Sequence, residues 1–357
     1  MNSYERVMLA LERREPDRVP IVEFVISPGI IRALYPEASD QADFEELAGL
    51  DSSSCGPQFR KSPLDASGGY TDEWGVFYRP TSEVLDHPIR GPVESWEDLK
   101  RYTPPDPHAP HRLDRLREIV ARFKHSKGIF FHQRAAFMWS AYVNGLDNLL
   151  MNFLADPEFA HCLLDKVLDA NIQLARNALR AGAEVIVLGD DYAGNQGPMF
   201  SPKVYREFLA PRLKRMVDAV HEEGGLVIKH SDGNLWPLLD QIVDTGIDAI
   251  NPIEPVAGMD IGKVKKKYGE RVAVVGNIDC SHVLSEDSEE EVEAAVIECI
   301  RKASPGGGHI LSSSNSIHSA VKPQNYAAMI AAAKKYGAYP IRLPAPLTDR
   351  LLSESRH

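Results

Sequence analysis

No apolar run in this chain is long enough to cross a bilayer, which argues against a membrane-embedded enzyme or carrier. Cysteine is scarce. The four that occur, Cys55, Cys162, Cys280 and Cys299, lie far apart and form no CxxC pair, so a disulfide scaffold is not expected and a reducing cytoplasm is the expected compartment. Basic charge is also short, with 40 Lys and Arg against 51 Asp and Glu and a net charge of −11. A phosphate backbone needs a basic face, so a nucleic-acid partner is not expected. The one basic cluster, Lys263, Lys265, Lys266 and Lys267, reads as a solvated helix face. No GxGxxG follows an early strand, which weighs against a dinucleotide site. The opening MNSYERVMLALERREPDRVP reads as a polar amphipathic helix and not as a signal peptide.

What the sequence does contain is alternation. A first helix is expected from about Ser3 to Arg13, with Val7, Met8 and Leu11 on one side, followed by a short buried strand VPIVEF. Residues 69–89 predict a β-hairpin outside the repeat, SWEDLKRY a helix capped by Ser95, and TPPDPHAPHR a connector. Then GIFFH, EVIVLGDD, LVIKH, AINPIE, VAVVGNID, GHILSSS and a short YPIRL each follow a helical segment. Most of these strands are continuous apolar runs, as parallel strands covered on both faces must be. Eight such units predict a (β/α)8 TIM barrel over residues 1–357 as a single domain, with an N-terminal helical extension and a small β-hairpin insertion; a doubly wound open sheet is the alternative.

Barrel chemistry collects at the C-terminal ends of the strands. Those ends carry Glu23, His132 with Gln133, Asp190 with Asp191, His230 with Asp232, Glu254, Asn277 with Asp279, and Ser312 to Asn315. Each has a plainer reading: a cap for Asp190 or Asp191, a loop role for Glu254, a backbone-bonding role for Asn277, a core histidine for His132. In His230–Ser231–Asp232 the imidazole and carboxylate share one side of an extended chain. That pair suits a divalent metal, a metal-free acid–base pair, or a cap on the following NLWPLL helix.

The segments ERVMLALERREPDRVP, DEWGVFY, SWEDLKRY, MFSPKVYREFLAPRLKRMVDAVHEEG and VAVVGNID together resemble the uroporphyrinogen decarboxylase superfamily, in its corrinoid-dependent methyltransferase-like branch, over nearly the whole length. The true decarboxylase carries an Arg-Gln-Ala-Gly-Arg-Tyr run after its first strand. Here the matching stretch, VEFVISPGIIRALYP, holds only Arg32, so the clamps for a polyacidic porphyrinogen are missing. The methyltransferase branch binds zinc through a His-x-Cys pair and a later Cys. By this resemblance the histidine falls on His230, the first Cys on Asp232 and the second on Asn315, which replaces both thiolates by harder atoms.

The resemblance therefore implies a methyltransferase that takes a methyl group from a small methylated compound, such as a methoxylated aromatic, to cobalt on a separate corrinoid (cobalamin) protein. His230, Asp232, Asp191 and His132 are the expected catalytic residues. Zinc would be held by His230 and Asp232, with Glu254 or Asp191 as a further ligand. Glu23, Gln133, Tyr192, Asn277, Asn315 and His318 are expected at the substrate. A decarboxylase or lyase acting on another carboxylic acid, a non-catalytic binding protein, and a homodimeric state all stay open.

Overall fold

The computed structural model describes residues 1–344. Seven parallel strands lie side by side in chain order: β1 (Ser52–Cys55), β2 (Gly128–Gln133), β3 (Val185–Gly189), β4 (Leu226–His230), β5 (Ala249–Asn251), β6 (Ala273–Val275) and β7 (His309–Ile310). Residues 19–22 close this sheet on itself. Asp51 N donates to Ile21 O on the β1 side, while Leu311 N donates to Pro20 O and Val22 N to Leu311 O on the β7 side. With that eighth element the architecture is the expected TIM barrel, ringed by helices such as Pro157–Arg180 and Glu289–Ala303.

The apolar runs explain the closure. Alternate residues of each strand point inward, and Phe130, Val185, Val187, Ile228, Ala249, Ala273, Val275 and Ile310 form one buried cluster. Val7, Ala10 and Leu11 join it from the first helix, Ser3–Leu11, so that helix seals the N-terminal end of the barrel. Asn2 and Glu5 form a capping box at its start. Arg6 of the same helix reaches Asp51 at 2.6 Å, and Arg18 reaches the other oxygen of Asp51 at 2.8 Å.

Three expectations need correction. YPIRL forms no strand; the missing unit is β1, whose SSSC sequence carries none of the large apolar side chains that mark the other strands. Small serines fit here because Ser52 and Ser53 are fully buried beneath neighbouring segments. The region predicted as a hairpin is a three-stranded antiparallel sheet, Tyr70–Thr71, Phe77–Arg79 and His87–Arg90, docked through Trp74 stacked on Trp139 at 4.4 Å. Strands β6 and β7 are shorter than the runs VAVVGNID and GHILSSS, because the chain leaves the ladder at its polar ends. All four cysteines are free, and among the described residues no helix is long and apolar enough to cross a membrane.

Candidate active site

The inward alternation that packs the barrel continues beyond it and builds the site. Phe130 leads to His132, Val187 to Gly189 and Asp191, Ile228 to His230 and Asp232, and Ala249 to Asn251. These side chains line a cavity of about 710 Å3 together with Glu23, Phe24, Ser313 and Asn315. That volume suits a small organic ligand.

Within the cavity, one ligand atom from each of Asp191, His230 and Asp232 falls within 4.8 Å of the others. His230 Nε2 faces Asp232 Oδ1 at 3.5 Å and Asp191 Oδ1 at 3.8 Å. The tautomer follows from the neighbours. Asn251 Nδ2 donates to Val275 O and to Ser312 Oγ, which turns Asn251 Oδ1 toward His230 Nδ1 at 2.6 Å. Nδ1 is therefore the protonated nitrogen and Nε2 presents its lone pair to the two carboxylates. Asp232 Oδ1 is buried without a hydrogen-bond partner, while Oδ2 accepts from Asn315 Nδ2 at 2.8 Å. Burial raises the Asp232 carboxyl to about 6; His230 pulls it back, and Asp191 and Glu254 push it further up. Three lone-pair donors facing one point, one of them orphaned, fit a divalent cation, and an oxygen- and nitrogen-only set suits zinc or another borderline-to-hard ion.

Burial shifts two more cavity residues toward their neutral forms. Burial raises the Glu23 carboxyl to about 8, against the pull of Ser313, whose Oγ and N both donate to it. The shift favours the neutral acid over the carboxylate. Burial lowers His132 to about 3, so its imidazole is neutral; it packs edge-on against Phe24 at 5.1 Å, and its Nε2 has no partner.

The remaining expected site residues go elsewhere, mostly because of strand parity. Asp190 points out of the barrel and accepts from the backbone N–H groups of Ala135, Ala136, Phe137 and Met138, so it holds the start of the helix Phe137–Asn144. The Gln133 amide donates to Asn171 O on the outer helix, although the residue borders the cavity. Tyr192 is buried outside the cavity beneath Lys229, whose ammonium sits 4.1 Å from the ring and donates to Asp190 O. Asn277 donates to Ile253 O and accepts from Cys299 Sγ, and so braces backbone. His318 lies outside the cavity lining and accepts from Ala320 N. Of the two further ligands expected, Asp191 joins the three-donor cluster and Glu254 does not: its Oε2 accepts from Gly233 N at 2.7 Å. Sequence reasoning did not single out Asn251 or Arg134. Asn251 lies two residues beyond the inward Ala249, so parity alone would have found it.

Comparison with known proteins agrees with the architecture. The family model described as uroporphyrinogen decarboxylase (URO-D) matches residues 84–336. A protein of Alkalilimnicola ehrlichii named uroporphyrinogen decarboxylase is 28% identical over 355 residues, covering 91% of this chain and 92% of its own length. One from Coxiella burnetii with the same name is 24% identical, covering 78% and 79%. Among solved structures, a methyltransferase from Methanosarcina mazei superposes with a TM-score of 0.77 at 20% identity, covering 94% of this chain and 99% of its own. A B12-independent methionine synthase from Shewanella gives 0.50 at 12% identity, with the same coverage. The two structural likenesses establish a shared fold; the extent of the family match establishes that this chain belongs to the uroporphyrinogen decarboxylase (URO-D) family.

Proposed function

We propose that this chain is a methyltransferase that releases a methyl group from the oxygen of a small methoxylated compound and passes it to a corrinoid carried on a separate protein. The observation that carries the reading is the convergence of Asp191, His230 and Asp232 on one point of the cavity wall. The methyltransferase name of the Methanosarcina neighbour is in keeping with it, while the chemistry is argued from the site.

In this reading Asp191, His230 and Asp232 hold zinc or a similar divalent ion. When bound, that ion supplies Lewis acidity at the ether oxygen, so that the oxygen can leave as an anion. The residues around it do the positioning. Asn251 keeps the His230 lone pair aimed inward, and Asn315 fixes Asp232. His132 offers one hydrogen bond to the substrate from a neutral ring, and Glu23 lines the same cavity with its carboxyl accepting from Ser313 Oγ.

A second reading, decarboxylation, is favoured by the names of the curated relatives. Against porphyrinogen as its substrate, Arg32 is exposed and does not line the cavity. The test is direct. Protein purified without chelator is analysed for metals, then incubated with a panel of methoxylated compounds and a reduced corrinoid protein. One equivalent of a divalent metal and methyl-corrinoid formation support the proposal; full activity of metal-free protein sinks the metal role.

A further inference from the structure

Arg134 carries a charge that no carboxylate of the described residues pairs directly, although Asp190 and Asp191 attract it from farther off. It follows His132 in the chain and lines the same cavity. Its guanidinium lies between the rings of Trp139 and Tyr142, 5.3 and 5.1 Å from their centroids. One nitrogen, Nη2, donates to Tyr142 Oη at 3.3 Å, and Nε is buried with no partner among the described residues. Among the described residues no carboxylate lies within ion-pairing distance. The nearby Asp190 has both oxygens committed to four backbone N–H groups. Asp191 faces His230. The other arginine of the cavity, Arg115, is satisfied at 2.6 Å by Asp40 and at 2.8 Å by Glu118.

A half-buried cation with no paired counter-ion is costly, and a buried donor left unmade in its fork adds to the cost. Aromatic walls lower but do not remove that cost. Such a group is retained where a ligand brings the missing charge. A planar fork with free N–H donors matches a carboxylate. One unpaired cation compensates one negative charge. Phe24, Leu85 and Val187 supply apolar wall.

We propose that Arg134 binds the carboxylate of the substrate, which is an aromatic monocarboxylate. This deepens the methoxy-substrate reading and rests on it only for the choice of probe. The probes are 2-, 3- and 4-methoxybenzoate and the matching uncharged methoxybenzyl alcohols, titrated calorimetrically into the full-length protein. At least one benzoate should bind, and its alcohol should bind about 30-fold more weakly or worse. Arg134→Gln should bring the benzoate down to the affinity of the alcohol and leave the alcohol unchanged, and Arg134→Lys should restore part of the difference. Equal affinity of acid and alcohol for the wild-type protein overturns the proposal without any variant. So does saturable binding of none of the benzoates, or an equal loss for both ligands in a folded Arg134→Gln. Methyl transfer is scored separately. Charge-dependent binding without demethylation removes the methyltransferase reading and leaves the clamp, while demethylation indifferent to the carboxylate does the reverse.

Discussion

Asp190 and Asp191 are adjacent in sequence and do unrelated work, and substitution separates them. Asp190→Ala frees four N–H groups of a buried helix start, which should destabilise the fold by about 3 kcal/mol with metal content intact. Asp191→Ala and His230→Ala should leave the melting temperature close to wild type and lose most of the metal, since both sit beyond the packed layers. Thermal unfolding paired with elemental analysis of the three variants checks this; a sharply lowered melting temperature with normal metal in His230→Ala would mark it as structural. Glu23 gives a pH signature. Its folded value is raised from 4.5 to about 8, so below 4.5 both states are protonated and no penalty exists. As pH rises the unfolded chain ionises first, and stability falls until the folded carboxyl ionises near 8. Glu23→Gln has no such proton, so its stability relative to wild type should grow between about pH 5 and about pH 8 in urea titrations; a constant difference would contradict the shift. Much of this site was legible. His230, Asp232, His132 and Asn315 were marked by strand-end position and all reach the cavity. Gln133 and Tyr192 were not separable from them by residue type alone, because a one-residue step in a strand exchanges inside for outside, and the ends of the ladders were not fixed by the sequence.

Among the elements, the first helix and the closing segment 19–22 depend on one carboxylate. Asp51 has no exposed side-chain surface and accepts from Arg6, Arg18, Ser3 and Ile21 N. Asp51→Asn should cost about 3 kcal/mol in urea unfolding, since Arg18 loses its carboxylate partner and the almost buried Arg6 keeps only Asp17. An unchanged midpoint would show that the helix is held by apolar packing of Val7 and Leu11 alone. The fold was legible wherever a strand had to be apolar on both faces, as in GIFFH and LVIKH. It was illegible at Ser52–Cys55, where the neighbours leave room only for small side chains, and at YPIRL, which has strand-like residues but no open ladder to join, because residues 19–22 already occupy the gap between β7 and β1. Hydrophobic periodicity reports burial, and pairing is decided by what is left unpaired.

For the whole molecule, the missing arginine run and the exposed Arg32 predict no turnover of uroporphyrinogen. An anaerobic assay that finds product would overturn this. The acidic surface, with net charge −11, also favours approach by partners bearing a basic face. Barrel closure has a further consequence, in time. Glu23 and Ser313, which meet across the closing seam and help to line the cavity, are 290 residues apart in the chain. At a synthesis rate of about 5–20 residues per second, the N-terminal partner waits roughly 15–60 s for the other to be made. Throughout that interval the growing sheet has two bare edges, and neither the seam nor the cavity exists. A nascent chain arrested on the ribosome before residue 309 should therefore be protease-sensitive and dependent on chaperones, and activity should appear only after the final strand and its helix have been released.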